Sequence, residues 1–145
     1  MFNHIRTALF GAGIAVLTFG SVAADAASPS GTWSMGKVTV KVSECGGGIC
    51  GTIVGLKEPI SKIDGKPKVD RENPDESKRK RPLIGLSILI DMKPADEGQW
   101  KGAIYNPDDG KTYSATVKFD GDDSMKVKGC VLGVLCKTNN FVRIN

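Results

Sequence analysis

Four cysteines and a missing histidine set the chemistry open to this sequence. Cys45 and Cys50 enclose four residues, and Cys130 and Cys136 enclose five. Four cysteines allow three pairings; closeness in sequence favours the two local ones, Cys45–Cys50 and Cys130–Cys136. Neither spacing is Cys-x-x-Cys, no cation flanks Cys45, and only Lys137 adjoins Cys136. Redox thiols need a pKa-lowering environment, so the expected role is structural: pinning tight hairpin turns. The single histidine is His4. Residues 27–145 therefore lack Ser-His-Asp and Cys-His triads, and lack histidine-held zinc, iron or copper. No P-loop, nucleophile elbow or dinucleotide fingerprint occurs. The nearest carboxylate pair, Asp108 and Asp109, sits in Pro107-Asp108-Asp109-Gly110, where adjacent side chains point apart and the composition is that of a turn. The expectation is a protein that is not an enzyme, with no cofactor and no metal site.

The strongest charge run is Lys78-Arg79-Lys80-Arg81. Such a run can contact anions, whether phosphate groups or lipid headgroups. Glu72, Asp75 and Glu76 stand just upstream and offset it, as in a solvated surface loop. Nucleic acid is disfavoured, because no aromatic residues interleave with the basic ones.

Residues 1–26 read as a cleaved signal peptide. His4 and Arg6 give a basic start, Ala8 to Phe19 is apolar, and Ser-Val-Ala-Ala-Asp-Ala-Ala supplies small residues for cleavage before Asp25 or Ala27. The apolar run falls short of the roughly 20 residues a spanning helix needs. No later stretch is long and apolar enough to span. A soluble periplasmic or secreted protein is expected, in a compartment where disulfides persist. The net charge is +4, with 40% hydrophobic and 25% charged residues, an ordinary globular balance rather than a disordered one. Residues 27–145 are enough for one domain with a core.

Positioning any site on that domain falls to strands. Val38, Val40 and Val42 alternate with Lys37, Thr39 and Lys41; Tyr113, Ala115, Val117 and Phe119 alternate with Thr112, Ser114, Thr116 and Lys118. Period-two alternation marks half-buried strands. Pro107–Gly110 and Asp120–Asp123 read as hairpin turns, and Gly46-Gly47-Gly48 as a third. Strands are predicted at 31–35, 37–44, 50–57, 83–92, 99–105, 111–119, 124–131 and 136–144. Eight short antiparallel strands must manage their edges, and closing into an up-and-down barrel removes them. Gly55, Gly85, Gly102 and Gly129 suit the bends of closure. Residues 58–82, with Pro59, Pro67, Pro74 and Pro82, form a long charged connection over the surface or across a barrel mouth.

Three stretches carry a family resemblance: Glu44-Cys45-Gly46-Gly47-Gly48-Ile49-Cys50-Gly51, then Gly65-Lys66-Pro67-Lys68 through Asn73-Pro74-Asp75 to Arg81-Pro82-Leu83-Ile84-Gly85-Leu86, and Ile104-Tyr105-Asn106-Pro107-Asp108-Asp109-Gly110-Lys111-Thr112-Tyr113-Ser114. Together they resemble the small exported bacterial proteins grouped as domain of unknown function 2147, over nearly all of 31–145. The resemblance implies a lipocalin-like barrel and brings no settled function. Members often end on a Gln-Thr-Trp-like strand, where this chain has Thr138-Asn139-Asn140-Phe141. Lipocalins also pair a Gly-x-Trp in the first strand with a basic residue on the last. Gly31-Thr32-Trp33 and Arg143 match that pattern, and a guanidinium stacked on the indole is worth about 0.5–2 kcal/mol.

The leading functional expectation is a binding module. An eight-stranded barrel is either filled by side chains or wide enough for one small ligand. The inward residues are mostly aliphatic or aromatic, so that ligand would be apolar or amphipathic. Trp100, Tyr105, Tyr113 and Ala115 are the candidate pocket residues, with strand parity allowing Trp100 and Tyr105 to face opposite sides. The alternative is a solid-barrelled envelope protein whose 58–82 loop touches anionic lipid or cell-wall polymer. A cavity above roughly 300 Å3 would favour the first.

Overall fold

Alternation along the chain becomes alternation between lumen and solvent around a closed barrel. In the computed structural model, which describes residues 28–145, eight antiparallel strands close in sequence order. The expected export segment, residues 1–26, lies outside the described residues. The strands are β1 (Gly31–Ser34), β2 (Val38–Cys45), β3 (Gly48–Leu56), β4 (Ser87–Pro94), β5 (Gln99–Asn106), β6 (Lys111–Asp120), β7 (Ser124–Val131) and β8 (Leu135–Arg143). Closure is made by β1 on β8, with Trp33 opposite Arg143.

One half of the lumen is solid. Trp33, Ile49, Met92, Val117 and Met125 are fully buried there, and burial of such a side chain stabilises by roughly 1.5–3 kcal/mol. Phe119 joins them, its ring centre 5.3 Å from that of Trp33. Both disulfides brace hairpins: Cys45–Cys50 spans the β2–β3 turn, and Cys130–Cys136 joins residues directly opposite on β7 and β8.

The structure corrects two sequence readings of the strands. β4 begins at Ser87, not at residue 83, because Leu86 turns back to donate to the Leu83 carbonyl and Gly85 has a φ of 92°. Gly85 is thus a turn residue outside any strand. The β2–β3 turn is also tighter than expected, with Gly48 already in β3. Gly102 does serve closure. A Cβ there would lie 2.7 Å from the carbonyl oxygens of Ile90 and Asp91 and 2.8 Å from Met92 Sδ. The bare glycine admits a bulge in β4, where Asp91 has a φ of 51°, and lets Met92 turn into the lumen.

Candidate functional site: a cavity at one end of the barrel

Above the solid half, the lumen opens. A cavity of about 680 Å3 lies at the end bounded by the β1–β2, β5–β6 and β7–β8 turns. Its walls are the inward residues Val38, Ile53, Leu56, Ile88, Ile104 and Phe141. Polar groups gather at the rim: Lys37, Lys68 and Lys137, with Asp108 and Asp109. Asn139 lies deeper, on the same inward parity as Lys137 and Phe141.

The proline-rich connection helps build this end. Between β3 and β4 the chain makes isolated bridges, Ile60 to Pro67 and Val69 to Pro82. It brings Lys68 and Leu83 to the cavity, and Leu83 packs against the core. A buried polar knot ties it down. Asp70 is completely buried, and its carboxylate accepts from the Tyr105 hydroxyl at 2.6 Å, the Asn73 amide at 2.8 Å and Arg81 Nε at 2.8 Å. Burial alone pushes the Asp70 carboxyl up, but these three donors outweigh it and hold it below its ordinary value. Tyr105 moves the other way, raised by burial and by donating to Asp70. Arg81 also lies over the Tyr105 ring, 5.8 Å from its centre.

This geometry redistributes the residues singled out by sequence. Tyr105 and Tyr113 border the cavity, but the Tyr105 hydroxyl is spent on Asp70 and Asn73. Trp100 and Ala115 do not line it. Both belong to the packed layer: Ala115 is buried opposite Gly102 and Gly129, and Trp100 packs on the core. The reason is Met92, which fills the space that Gly102 leaves. The basic run is not a free anion site either. Lys78 pairs with Asp75, Arg79 with Glu76 and the Asn73 carbonyl, and Arg81 with Asp70; Lys80 has no ion pair among the described residues. Trp33 and Arg143 do meet, the guanidinium carbon lying 4.2 Å from the ring centre.

Asp109 accepts from the Tyr113 hydroxyl and from the Lys111 N–H. Burial raises its carboxyl, while those donors lower it further, so it is an anion at neutral pH rather than a poised proton donor. Among the described residues, no three His, Cys, Asp or Glu side chains converge as a metal site would require.

The polar cavity residues Lys37, Lys68, Lys137 and Asn139 were not anticipated. Parity counted back from Phe141 along β8 places Asn139 and Lys137 inward, a signal hidden by their polarity.

A closed up-and-down eight-stranded barrel, opening on Gly-x-Trp and sealed by an arginine of the last strand, is a lipocalin-like fold. The chain belongs to the family of domain of unknown function 2147, described as an uncharacterized protein conserved in bacteria, whose model matches residues 31–143. Among solved structures it is similar to protein HP1028 from the human pathogen Helicobacter pylori, described as belonging to the lipocalin family. The two share 22% identity over 83% of this chain and 85% of that one, with a TM-score of 0.69, a likeness of fold. No curated protein matches. A bacterial family and two disulfides are compatible with a periplasmic or extracellular location.

Proposed function

We propose that the protein is an exported binding module that holds one small amphipathic ligand in the open half of its barrel, without turnover and without a cofactor. The observation that carries this reading is the cavity: about 680 Å3, apolar in its walls and polar at its rim. That volume falls within the range of small-molecule pockets, about 300–1,000 Å3. Lys37, Lys68 and Lys137 have no ion pair among the described residues and outnumber the two rim carboxylates, Asp108 and Asp109, by one. The rim therefore favours an anionic head, with the apolar part of the ligand against Ile53, Ile104 and Phe141. The signal-like leader and the two disulfides support a periplasmic or secreted location.

The test is titration with a fluorescent fatty acid while following Trp emission, in the wild type and in Asn139→Phe. Saturable uptake that falls at least tenfold in the variant supports the reading. Absence of saturable uptake by the wild type, together with no co-purifying small molecule in native mass spectrometry of periplasmic protein, overturns it.

A further inference from the structure

The β7–β8 hairpin presents an apolar tip where turn chemistry calls for a polar one. Between Cys130 and Cys136 the sequence is Val-Leu-Gly-Val-Leu. Leu132 is 91% exposed, Val134 77% and Leu135 72%. The Val134 N–H donates to the Val131 carbonyl at 3.2 Å, and the two residues between them, Leu132 and Gly133, have φ of 51° and 70°. Hairpin turns with two positive φ angles favour Asn, Asp or Gly at both positions. Leucine at the first is unfavourable for the backbone and leaves nearly all its side chain in water. Folding gains little from it, and with Val134 and Leu135 it forms a contiguous exposed apolar tip, the kind of feature that marks a contact surface.

The surroundings name the partner. Val131, Leu135, Lys37, Lys68 and Lys137 share the rim of one mouth. The three lysines are free of ion pairs among the described residues and outnumber the two rim carboxylates, Asp108 and Asp109, which leaves the mouth with an excess positive charge of one. An aliphatic protrusion beside unpaired lysines matches a bilayer interface with anionic lipid, where an inserted apolar group and a basic patch act as two signals. Protein-docking patches are instead rich in Tyr, Trp, Met and Arg, and the tip has none of these.

We infer that the disulfide-stapled Cys130–Cys136 hairpin is a docking tip for the surface of an anionic lipid bilayer, with Leu132, Val134 and Leu135 entering the interface and Lys37, Lys68 and Lys137 meeting the headgroups. The barrel mouth then faces the membrane. The disulfide holds the tip in shape, so little ordering entropy opposes insertion. Attachment is weak and reversible, on the order of the 10⁴ M⁻¹ of a single acyl chain. It is also sensitive to salt, because the lysine contribution is screened.

The test is co-sedimentation with vesicles of equal parts phosphatidylcholine and phosphatidylglycerol, against pure phosphatidylcholine. The wild type should pellet with the anionic vesicles and be released by high salt. Leu132→Asn suits the turn, so its thermal midpoint should hold or rise, while vesicle binding falls at least tenfold. Lys37→Glu/Lys137→Glu should lose binding by a similar factor. Wild type that stays in solution with anionic vesicles, or pelleting untouched by both variants, overturns the inference. So does a dimer in lipid-free buffer that Leu132→Asn dissolves, since that assigns the tip to a second copy. Ligand uptake is measured separately in lipid-free buffer, so a failure of docking is distinguishable from a failure of the cavity reading.

Discussion

Arg143 stacks its guanidinium on the buried Trp33 ring and spends its N–H groups on three backbone carbonyls, those of Asp122, Ser30 and Ser28. One side chain thus joins the last strand, the β6–β7 turn and the chain entering β1. The solid end of the barrel is closed by this contact, and the cavity opens at the opposite end.

Arg143→Ala should therefore cost more than a cation–π contact alone. Charge-assisted hydrogen bonds contribute about 1.5–3 kcal/mol and the stacking about 0.5–2. With partial compensation by water, a loss of about 2–4 kcal/mol is expected from urea unfolding, with Trp emission shifted to the red. Arg143→Lys should recover less than half, since a lysine cannot stack flat and reach three acceptors. Unchanged unfolding in the alanine variant would show the closure to be incidental.

The Asp70 knot predicts an acid-sensitive connection. Its carboxyl titrates below the ordinary value, so the stability it supplies is complete above about pH 4 and is lost as pH falls through the lower folded-state value. Asp70→Asn should expose residues 57–86 to faster hydrogen exchange at neutral pH, by a margin worth about 1–3 kcal/mol. It should also flatten the acid dependence there. Arg81 is 40% exposed and retains water, which keeps the loss at the modest end. Equal exchange in both proteins at neutral pH would remove Asp70 from this role.

The barrel was legible because β2 and β6 carry strict apolar alternation and because Trp33 and Arg143 sit at opposite ends of the chain. The knot was not. Asp70 and Tyr105 are 35 residues apart, and nothing in a charged, proline-rich segment distinguishes the one buried carboxylate from its exposed neighbours. The depth of the pocket was also hidden. Parity turns Ala115 inward and sets Trp100 and Tyr105 on opposite sides, but how far up the lumen is filled depends on the bulge at Asp91 and the side chain of Met92. β8 conceals its inward face behind Lys137 and Asn139.

Ala115 and Asn139 therefore separate packing from capacity. Ala115→Phe inserts a ring into the filled layer and should destabilise by about 1–3 kcal/mol through overpacking. Asn139→Phe adds bulk to open space and should unfold within about 1 kcal/mol of the wild type while losing ligand uptake. Similar stability losses in both would mean that the lumen near Asn139 is already full.

Gly110 is where the connection rests on the β5–β6 turn. Its φ is 69°, and a Cβ there would lie 1.8 Å from the carbonyl oxygen of Glu72. Backbone sits on the other side of that contact, so no rotamer change relieves it. Gly110→Ala must either push the 70–73 segment outward or reshape the turn that holds Asp109 against Tyr113. Displacing the segment pulls Asp70 and Asn73 from Tyr105, because all three lie within a few residues of the contact or bond directly across it. The expected cost is about 1–3 kcal/mol from the left-handed backbone and the lost hydrogen bonds together. Limited proteolysis should cut within 57–86 at least several times faster than in the wild type, while the two disulfide-braced hairpins stay resistant. Cleavage at the wild-type rate would mean that the connection is held by its own bridges and not by its seat on the barrel.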